Sequence, residues 1–348
     1  MTVGRRPMKN SMKSLRRSSN KIVFAYAAAA ALLLGASLLG ILWGASRCSL
    51  RELVQVIVQG DYQSPTARIL RYARLPRVLG SLLCGGALAV SGAVIQGVLA
   101  NRLASPSIIG VNAGAGLAVT LCAALGLAGG WRMSAFAFLG AFAAVMAVSF
   151  GAKKWGASRG TVILMGVAMN SLLGAVSDGI KILRPELSVL SNDFKIGDFS
   201  AVTYPKLLPA AAVILISLLI LLTLCNELDV LALGDERARG LGLNTGLMRT
   251  LFLMLAAALA GAAVSVAGLL SFVGLLVPHA VRRVSTGEAR QLLPLCALFG
   301  AGFVTLCDTI ARVAFAPYEL PVGIIMAFLG APFFLFILVK GKGGHSRG

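Results

Sequence analysis

The sequence predicts an all-α polytopic membrane protein with about ten transmembrane helices. Three observations lead there. Of 348 residues, 57% are hydrophobic and only 13% are charged, against roughly 25% charged in a soluble domain. The apolar residues gather into runs of about 20, the length that crosses a hydrocarbon core. The charged residues gather between those runs. Such a distribution excludes a secreted disulfide scaffold, a coiled coil and a disordered chain, and leaves little for a water-soluble domain.

The first run follows seven basic residues, Arg5, Arg6, Lys9, Lys13, Arg16, Arg17 and Lys21, and extends over 22–45. A signal-peptide core has only about 7–15 residues, so this run reads as a retained first span behind a cytoplasmic tail, 1–21. Residues 46–75 are polar and read as an outer loop. The second span, about 76–100, opens on Pro76, whose missing N–H costs nothing in a first helical turn. The third is about 107–128 and the fourth about 134–152, followed by Lys153, Lys154 and Arg159. The fifth is about 160–180, before a polar stretch 181–204; the sixth is about 205–225, before a polar segment 226–249. The seventh is about 250–268, the eighth, a short one, about 270–284, the ninth about 291–315 and the tenth about 321–339. The expected organisation is one ten-helix domain over 22–340 and a short cytoplasmic tail, 341–348, with both termini inside.

Charge placement supports that orientation. The net charge is +19, which in a soluble chain would suggest nucleic acid. Here twenty of the 32 Lys and Arg fall on the predicted cytoplasmic side, as topology requires. Six of the remaining twelve crowd between Arg47 and Arg77, against the trend, and ask for another role. The 40 glycines include Gly110 and Gly114 at helical spacing, and the run Ala256 to Ala263 is equally small; such faces let helices approach closely in lipid. Val90-Ser91-Gly92-Ala93-Val94 is similar to Val266-Ala267-Gly268-Leu269-Leu270, a possible internal repeat of the kind found in transporters.

Catalytic chemistry is missing. Of the six cysteines, five sit in apolar runs and read as small hydrophobes. Asp308 and Arg312 share a helix face four residues apart, and Asp178 and Lys181 sit near a span end. His279 has no carboxylate nearby in sequence, and neither a zinc-protease nor a phosphate-loop motif occurs. We expect no catalytic residue, metal ligand or cofactor in this chain. An ion-coupled secondary transporter is the main rival reading, but it calls for ion-coordinating groups at mid-depth, and few are present. An intramembrane enzyme is the second rival, and a nucleic-acid role for the basic tail ranks last.

Several segments resemble one family. Arg74-Leu75-Pro76-Arg77-Val78-Leu79 leads into Gly86-Ala87-Leu88-Ala89-Val90-Ser91-Gly92-Ala93-Val94-Ile95-Gln96-Gly97. Asn101-Arg102-Leu103-Ala104-Ser105-Pro106 leads to Ile109-Gly110-Val111-Asn112-Ala113-Gly114-Ala115. Leu233-Gly234-Asp235-Glu236-Arg237-Ala238-Arg239-Gly240-Leu241-Gly242, Phe272-Val273-Gly274-Leu275-Leu276-Val277-Pro278-His279, Glu319-Leu320-Pro321-Val322-Gly323 and Leu329-Gly330-Ala331-Pro332-Phe333-Phe334 follow in order. Over about 20–340 the chain resembles FecCD-type permeases of ATP-binding-cassette importers, which carry iron-siderophore complexes, haem or vitamin B12. The resemblance implies a fold like that of the vitamin B12 importer permease and a permease dimer, homo- or heteromeric, with the pathway between subunits. It also implies separate ATPase subunits holding ATP and Mg, an extracytoplasmic binding protein, and a bacterial inner-membrane location.

The resemblance also assigns residues. Arg74, Arg77 and Arg312 match arginines that receive acidic residues of the binding protein, consistent with bidentate Arg–carboxylate pairing. Leu233, Gly234, Asp235, Glu236, Arg237, Ala238, Arg239, Gly240, Leu241 and Gly242 match the family's coupling helices, two short helices docked on the ATPase. Gly240 and Gly242 are expected to supply the bend, with Asp235 and Glu236 in the first turn of the first helix. Met165, Met169, Asn170, Leu172, Leu173, Val176 and Ser177 in the fifth span are expected to line the pathway. An iron-siderophore complex is the expected cargo.

Overall fold

The computed structural model describes residues 7–44, 64–154 and 158–342, with side chains from 21 to 335. The predicted outer-loop residues Arg47, Arg51, Glu52 and Asp61, with Cys48, lie outside the described residues, as do 1–6 and 343–348 of the two tails. Among the described residues every regular element is a helix.

Helix α1 (Pro7–Leu42) carries the first apolar run and extends back into the basic tail. Helix α2 (Pro65–Ile69), a π-helical turn (Leu70–Arg74) and α3 (Leu75–Val98) form one continuous second span. This span starts eleven residues before Pro76, earlier than the sequence suggested. Ser64 caps it by accepting from the Ala67 N–H at 3.3 Å, and Pro65 takes the first-turn position. Pro76 therefore sits inside a helix. The π turn, in which the Leu75 N–H reaches back to the Leu70 carbonyl, supplies the looser winding that a proline requires.

There follow α4 (Val111–Ala124), α5 (Gly130–Lys154), α6 (Arg159–Leu183), α7 (Leu187–Ile196), α8 (Tyr204–Thr223), α9 (Cys225–Ala232), α10 (Asp235–Gly240), α11 (Thr245–Ala267), α12 (Val273–Val281), α13 (Ala289–Val313) and α14 (Val322–Lys342). Seven segments are long and apolar enough to cross a membrane: Lys21–Leu42, Pro65–Val98, α5, α6, α8, α11 and α13. Helix α4 and Val322–Leu335 of α14 are shorter apolar helices, and α12 is shorter still. Each of the ten predicted spans coincides with one of these helices. The polar stretch 181–204 between the fifth and sixth spans contains α7.

The third and eighth spans are shorter than predicted because the chain enters them unwound. Asn170 donates its amide to the carbonyls of Ser107 and Ile108 at 2.8 and 3.3 Å, and Gly166 packs against Ile108. Gly166 is seven residues into α6, about 10 Å along its axis. Residues before α4 thus reach well into the bundle without helical bonds, tolerable only where protein groups satisfy the backbone. The segment 268–272 is likewise unwound, and the Leu269 N–H finds the Phe194 carbonyl at 2.9 Å.

Helix α3 is the central element, packed against α11, α12 and α13, with α1 against α13. Close packing needs glycine at particular positions. A Cβ on Gly85 would overlap the Gly300 carbonyl, and one on Gly92 the Gly274 carbonyl; Gly114 faces Gly140 in the same way. Ser91 donates to the Ala256 carbonyl at 2.7 Å, so the small run 256–263 lies on α3 as its composition suggested. The similar stretches Val90–Val94 and Val266–Leu270 are not equivalently placed. Gly92 is mid-helix, whereas Gly268 ends α11 with φ 72°.

Candidate functional site

Helices α3 and α13 run the length of the bundle and carry polar groups at both ends. At one end, Arg77 of α3 meets Asp308 of α13. Arg77 Nε donates to both carboxylate oxygens, at 3.1 and 3.2 Å, and Nη2 to Oδ1 at 3.0 Å. Arg312, one turn beyond Asp308, places its Nε 3.2 Å from Oδ2. Arg77 Nη1 also bonds Glu319 at 2.7 Å, and Asp198 lies 3.8 Å from Nη2. Arg312 Nη1 donates to the Gly40 carbonyl at 3.1 Å, and Arg74 Nη1 donates to the carbonyls of Ile41 and Leu42, the latter at 3.0 Å. These carbonyls belong to the last turn of α1, where unpaired acceptors favour cations.

The three arginines expected to face an acidic partner therefore share one end of the molecule, but they are only 6%, 7% and 3% exposed for Arg74, Arg77 and Arg312. Asp308 lies a helical turn from Arg312, so a pair within α13 was legible. Its second guanidinium comes from 231 residues away and was not.

At the opposite end lies segment 225–244. It holds two short helices, but not the expected pair: Cys225–Ala232 precedes the motif, and between 233 and 244 there is a single helix, Asp235–Gly240, so the bends differ. Gly234, with φ 113°, separates α9 from α10, and Gly242, with φ 83°, follows α10. Gly240 is the last residue of α10, not a bend. Asp235 and Glu236 do open a helix, but it is α10, the second of the two rather than the first. Ala238 is fully buried, whereas Leu233 and Leu241 are 53% and 67% exposed.

Asp235 also ties the segment to two spans. Arg249, in the first turns of α11, donates to its two carboxylate oxygens at 2.7 and 2.6 Å. Arg159, the first residue of α6, lies 3.4 Å from Oδ1 and donates to the Leu231 carbonyl at 2.8 Å. Partial burial pushes the Asp235 carboxyl up, but the guanidiniums of Arg249 and Arg159 outweigh it and hold the group below its ordinary value of 3.8. Asp229 of α9 accepts from the Ala289 N–H at 2.9 and 3.1 Å, capping α13 from another helix. Burial pushes this carboxyl above its ordinary 3.8, the Ala289 N–H opposing only in part. Arg159 and Asp229 were not singled out from the sequence, since their partners are distant in the chain.

Helix α6 packs on α4 and α5 by one side. The seven residues expected to line a pathway do not share a face. Leu172 and Val176 are exposed, and Met165, Met169 and Leu173 are half-buried. Asn170 turns inward to the Ser107 and Ile108 carbonyls, and Ser177 is buried with its hydroxyl 3.1 Å from that of Thr120. The open stripe runs through Leu164, Ala168, Leu172 and Val176, at the four-residue spacing of one helix face.

A bundle of long apolar helices with charged elements at both ends defines a multi-pass membrane protein. The chain belongs to the FecCD transport family, whose model matches residues 32–340. It is 36% identical over 327 residues to the Fe(3+)-citrate import system permease protein YfmD of Bacillus subtilis, covering 94% of this chain and 97% of that one. It is 36% identical to the hemin transport system permease protein HmuU of Yersinia pestis, covering 77% and 82% of the two chains. It is 35% identical to the vitamin B12 import system permease protein BtuC of Yersinia enterocolitica, covering 80% and 84%. A solved structure described as an inward-facing conformation of a metal-chelate type ABC transporter matches with a TM-score of 0.80 and 28% identity, covering 90% of this chain and 98% of the other. The chain is thus a permease subunit of an ABC import system, a multi-pass protein that in bacteria sits in the inner membrane. Membership of an ABC permease family sets aside the ion-coupled carrier.

Proposed function

We propose that this subunit moves an iron-siderophore or related metal-chelate complex inward, received from an extracytoplasmic binding protein and driven by ATP and Mg on separate ATPase subunits. The observation that carries the reading is the match to a family of import permeases along nearly the whole chain. Relatives named for iron citrate, hemin and vitamin B12 support an iron complex first, with haem and corrinoids in the same class. The working unit is a permease dimer, homo- or heteromeric, in which each subunit crosses ten times with both termini cytoplasmic. The spanning domain is 22–340, flanked by tails 1–21 and 341–348.

In this reading the end bearing Arg74, Arg77 and Arg312 faces outward and takes the binding protein. Glu319, a third exposed, occupies the outermost edge of Arg77. A partner carboxylate contacts Arg77 by displacing Glu319, while Arg74 and Arg312 hold the end of α1 and the Asp308 pair in register. The segment Leu233–Gly242 faces the ATPase. Its exposed Leu233 and Leu241 are the anchors, and buried Ala238 is its attachment to the bundle. Affinity capture of the tagged chain from its own membranes tests the whole assembly. An ABC ATPase and a ligand-binding protein should co-purify, and the ligand of the latter names the cargo. Uptake that continues without any ATPase and collapses with an ion gradient would overturn the reading.

A further inference from the structure

The polar contacts of segment 225–242 show an arrangement that docking alone does not require. Arg159 opens α6, and its Nη2 donates to the carbonyl of Leu231 near the end of α9 at 2.8 Å. The same Nη2 lies 3.4 Å from Asp235 Oδ1 at the start of α10. One guanidinium thus holds both short helices of the segment and belongs to the first residue of a 25-residue apolar helix. On its other side Asp235 is held by Arg249 of α11 at 2.6 Å. Asp235 is the point where α6, α10 and α11 meet.

The two attachments of the carboxylate differ in what they can move. Helix α11 is largely buried, with most of its length packed against α3, α5 and α8. It is a fixed wall, and Arg249 ties the segment to it. Helix α6 is mostly uncovered, with Val162, Gly166 and Ser177 its buried residues. Fewer contacts resist its displacement. Ser158 caps it by accepting from the Thr161 N–H at 3.1 Å, so its first turn is firmly formed and a pull on Arg159 is carried along the helix.

We propose that Arg159 and Asp235 are positioning residues that transmit displacement of the 225–242 segment to α6, with Arg249 as the fixed side of the joint. The proposal rests on the reading that this segment docks on the ATPase. It explains why one arginine serves both short helices: if they move as a body, α6 moves with them. A salt bridge exposed to this degree adds little to global stability, since Asp235 is 30% exposed at its side chain. Its contribution is geometric.

The test uses the complete transporter, permease with ATPase and binding protein, in proteoliposomes. Arg159→Gln removes the link to α6 while Asp235 keeps Arg249; Asp235→Asn removes the charge from both. In Arg159→Gln, which lies outside the docking segment, ATPase co-purification and ATP hydrolysis should stay near wild type while cargo moved per ATP falls about fivefold, a coupling loss of ordinary size; Asp235→Asn should lower the same ratio whatever its effect on ATPase association. Asp235→Glu, which keeps the charge, should recover most of that ratio. Unchanged cargo per ATP in Arg159→Gln would overturn the proposal, as would a parallel fall of hydrolysis and transport that leaves the ratio intact. Should Asp235→Asn fail to assemble, the Arg159→Gln ratio decides alone. If the wild-type chain binds no ATPase, the docking reading fails, and the proposal with it. If the wild type binds its ATPase and the ratios are unchanged, only the proposal fails.

Discussion

Arg77 and Asp308 join the two longest buried helices of the bundle through three hydrogen bonds of 3.0 to 3.2 Å, with the carboxylate wholly buried. Arg312 closes on the same carboxylate from the other side at 3.2 Å. One acid thus stands between two buried guanidiniums. Removing it leaves both without that partner, whereas an intact cluster with its hydrogen bonds is tolerated. Asp308→Ala should therefore destabilise the protein by about 3–5 kcal/mol, the usual cost of breaking a buried pair from one side. Thermal unfolding in detergent measures it, and a melting temperature equal to wild type would show that the cluster carries no structural weight.

The glycine contacts make a sharper steric prediction. Gly92→Ala places a Cβ on the Gly274 carbonyl and Gly85→Ala one on the Gly300 carbonyl, so backbone must move. Each should cost about 1–3 kcal/mol, as overpacking does. Gly116→Ala and Gly174→Ala meet nothing within 4 Å, lie in helices and should be neutral or better. Parallel melts of the four variants check the contrast; equal melting temperatures would sink it.

The contrast also marks what the sequence could reveal. Spans were legible because apolar length is a local property, and the motif after 232 marked α10, though it placed both short helices there and missed α9 before it. Helix α7 was not, since ten residues of mixed polarity carry no span signal. The early start of the second span was hidden because the looser turn at Leu70–Arg74 cannot be seen in composition. Arg77 was read as a socket for a foreign acid because Asp308, its own, is distant in the chain. Gly240 was read as a bend and Gly234 supplies it, since both fit a turn and only the backbone angle separates them.

Asp229 gives a pH dependence with a definite sign. Its carboxyl is raised above 3.8 in the folded protein, chiefly by burial. The folded state therefore binds a proton more readily than the unfolded one, and this group's contribution to stability rises as pH falls from neutral through the raised value. Asp229→Asn keeps an acceptor for the Ala289 N–H but cannot titrate. Wild type should gain melting temperature relative to Asp229→Asn on mild acidification. A difference that shrinks or stays flat would contradict the assignment.

Leu241 tests docking better than Ala238 does. Ala238 is fully buried, so Ala238→Arg would disrupt the segment itself whatever bound there. Leu241 is 67% exposed, and Leu241→Asp should leave the fold intact. If this side chain is an interface anchor, its loss should weaken ATPase association by about 1–2 kcal/mol, roughly five- to thirtyfold. Titration of purified permease with its ATPase measures the change. Unaltered affinity would move the contact elsewhere on this end.

The uncovered stripe of α6 decides between pathway and lipid. Leu164, Leu172 and Val176 are 72%, 60% and 45% exposed and lie on one side of the helix, while Asn170 and Ser177 turn inward. A cysteine facing a water-filled pathway ionises and reacts with a charged thiol reagent, whereas one facing hydrocarbon stays protonated and inaccessible. The five described native cysteines are buried, and a Cys48→Ser background removes the sixth, so labelling reports the introduced thiols. Leu172→Cys and Val176→Cys should react in the assembled transporter, with rates that change when ATP is supplied, and Ser177→Cys should not. If the two exposed positions stay unreactive in every nucleotide state while Ser177→Cys reacts, the stripe faces lipid and the pathway runs along the inward side of α6.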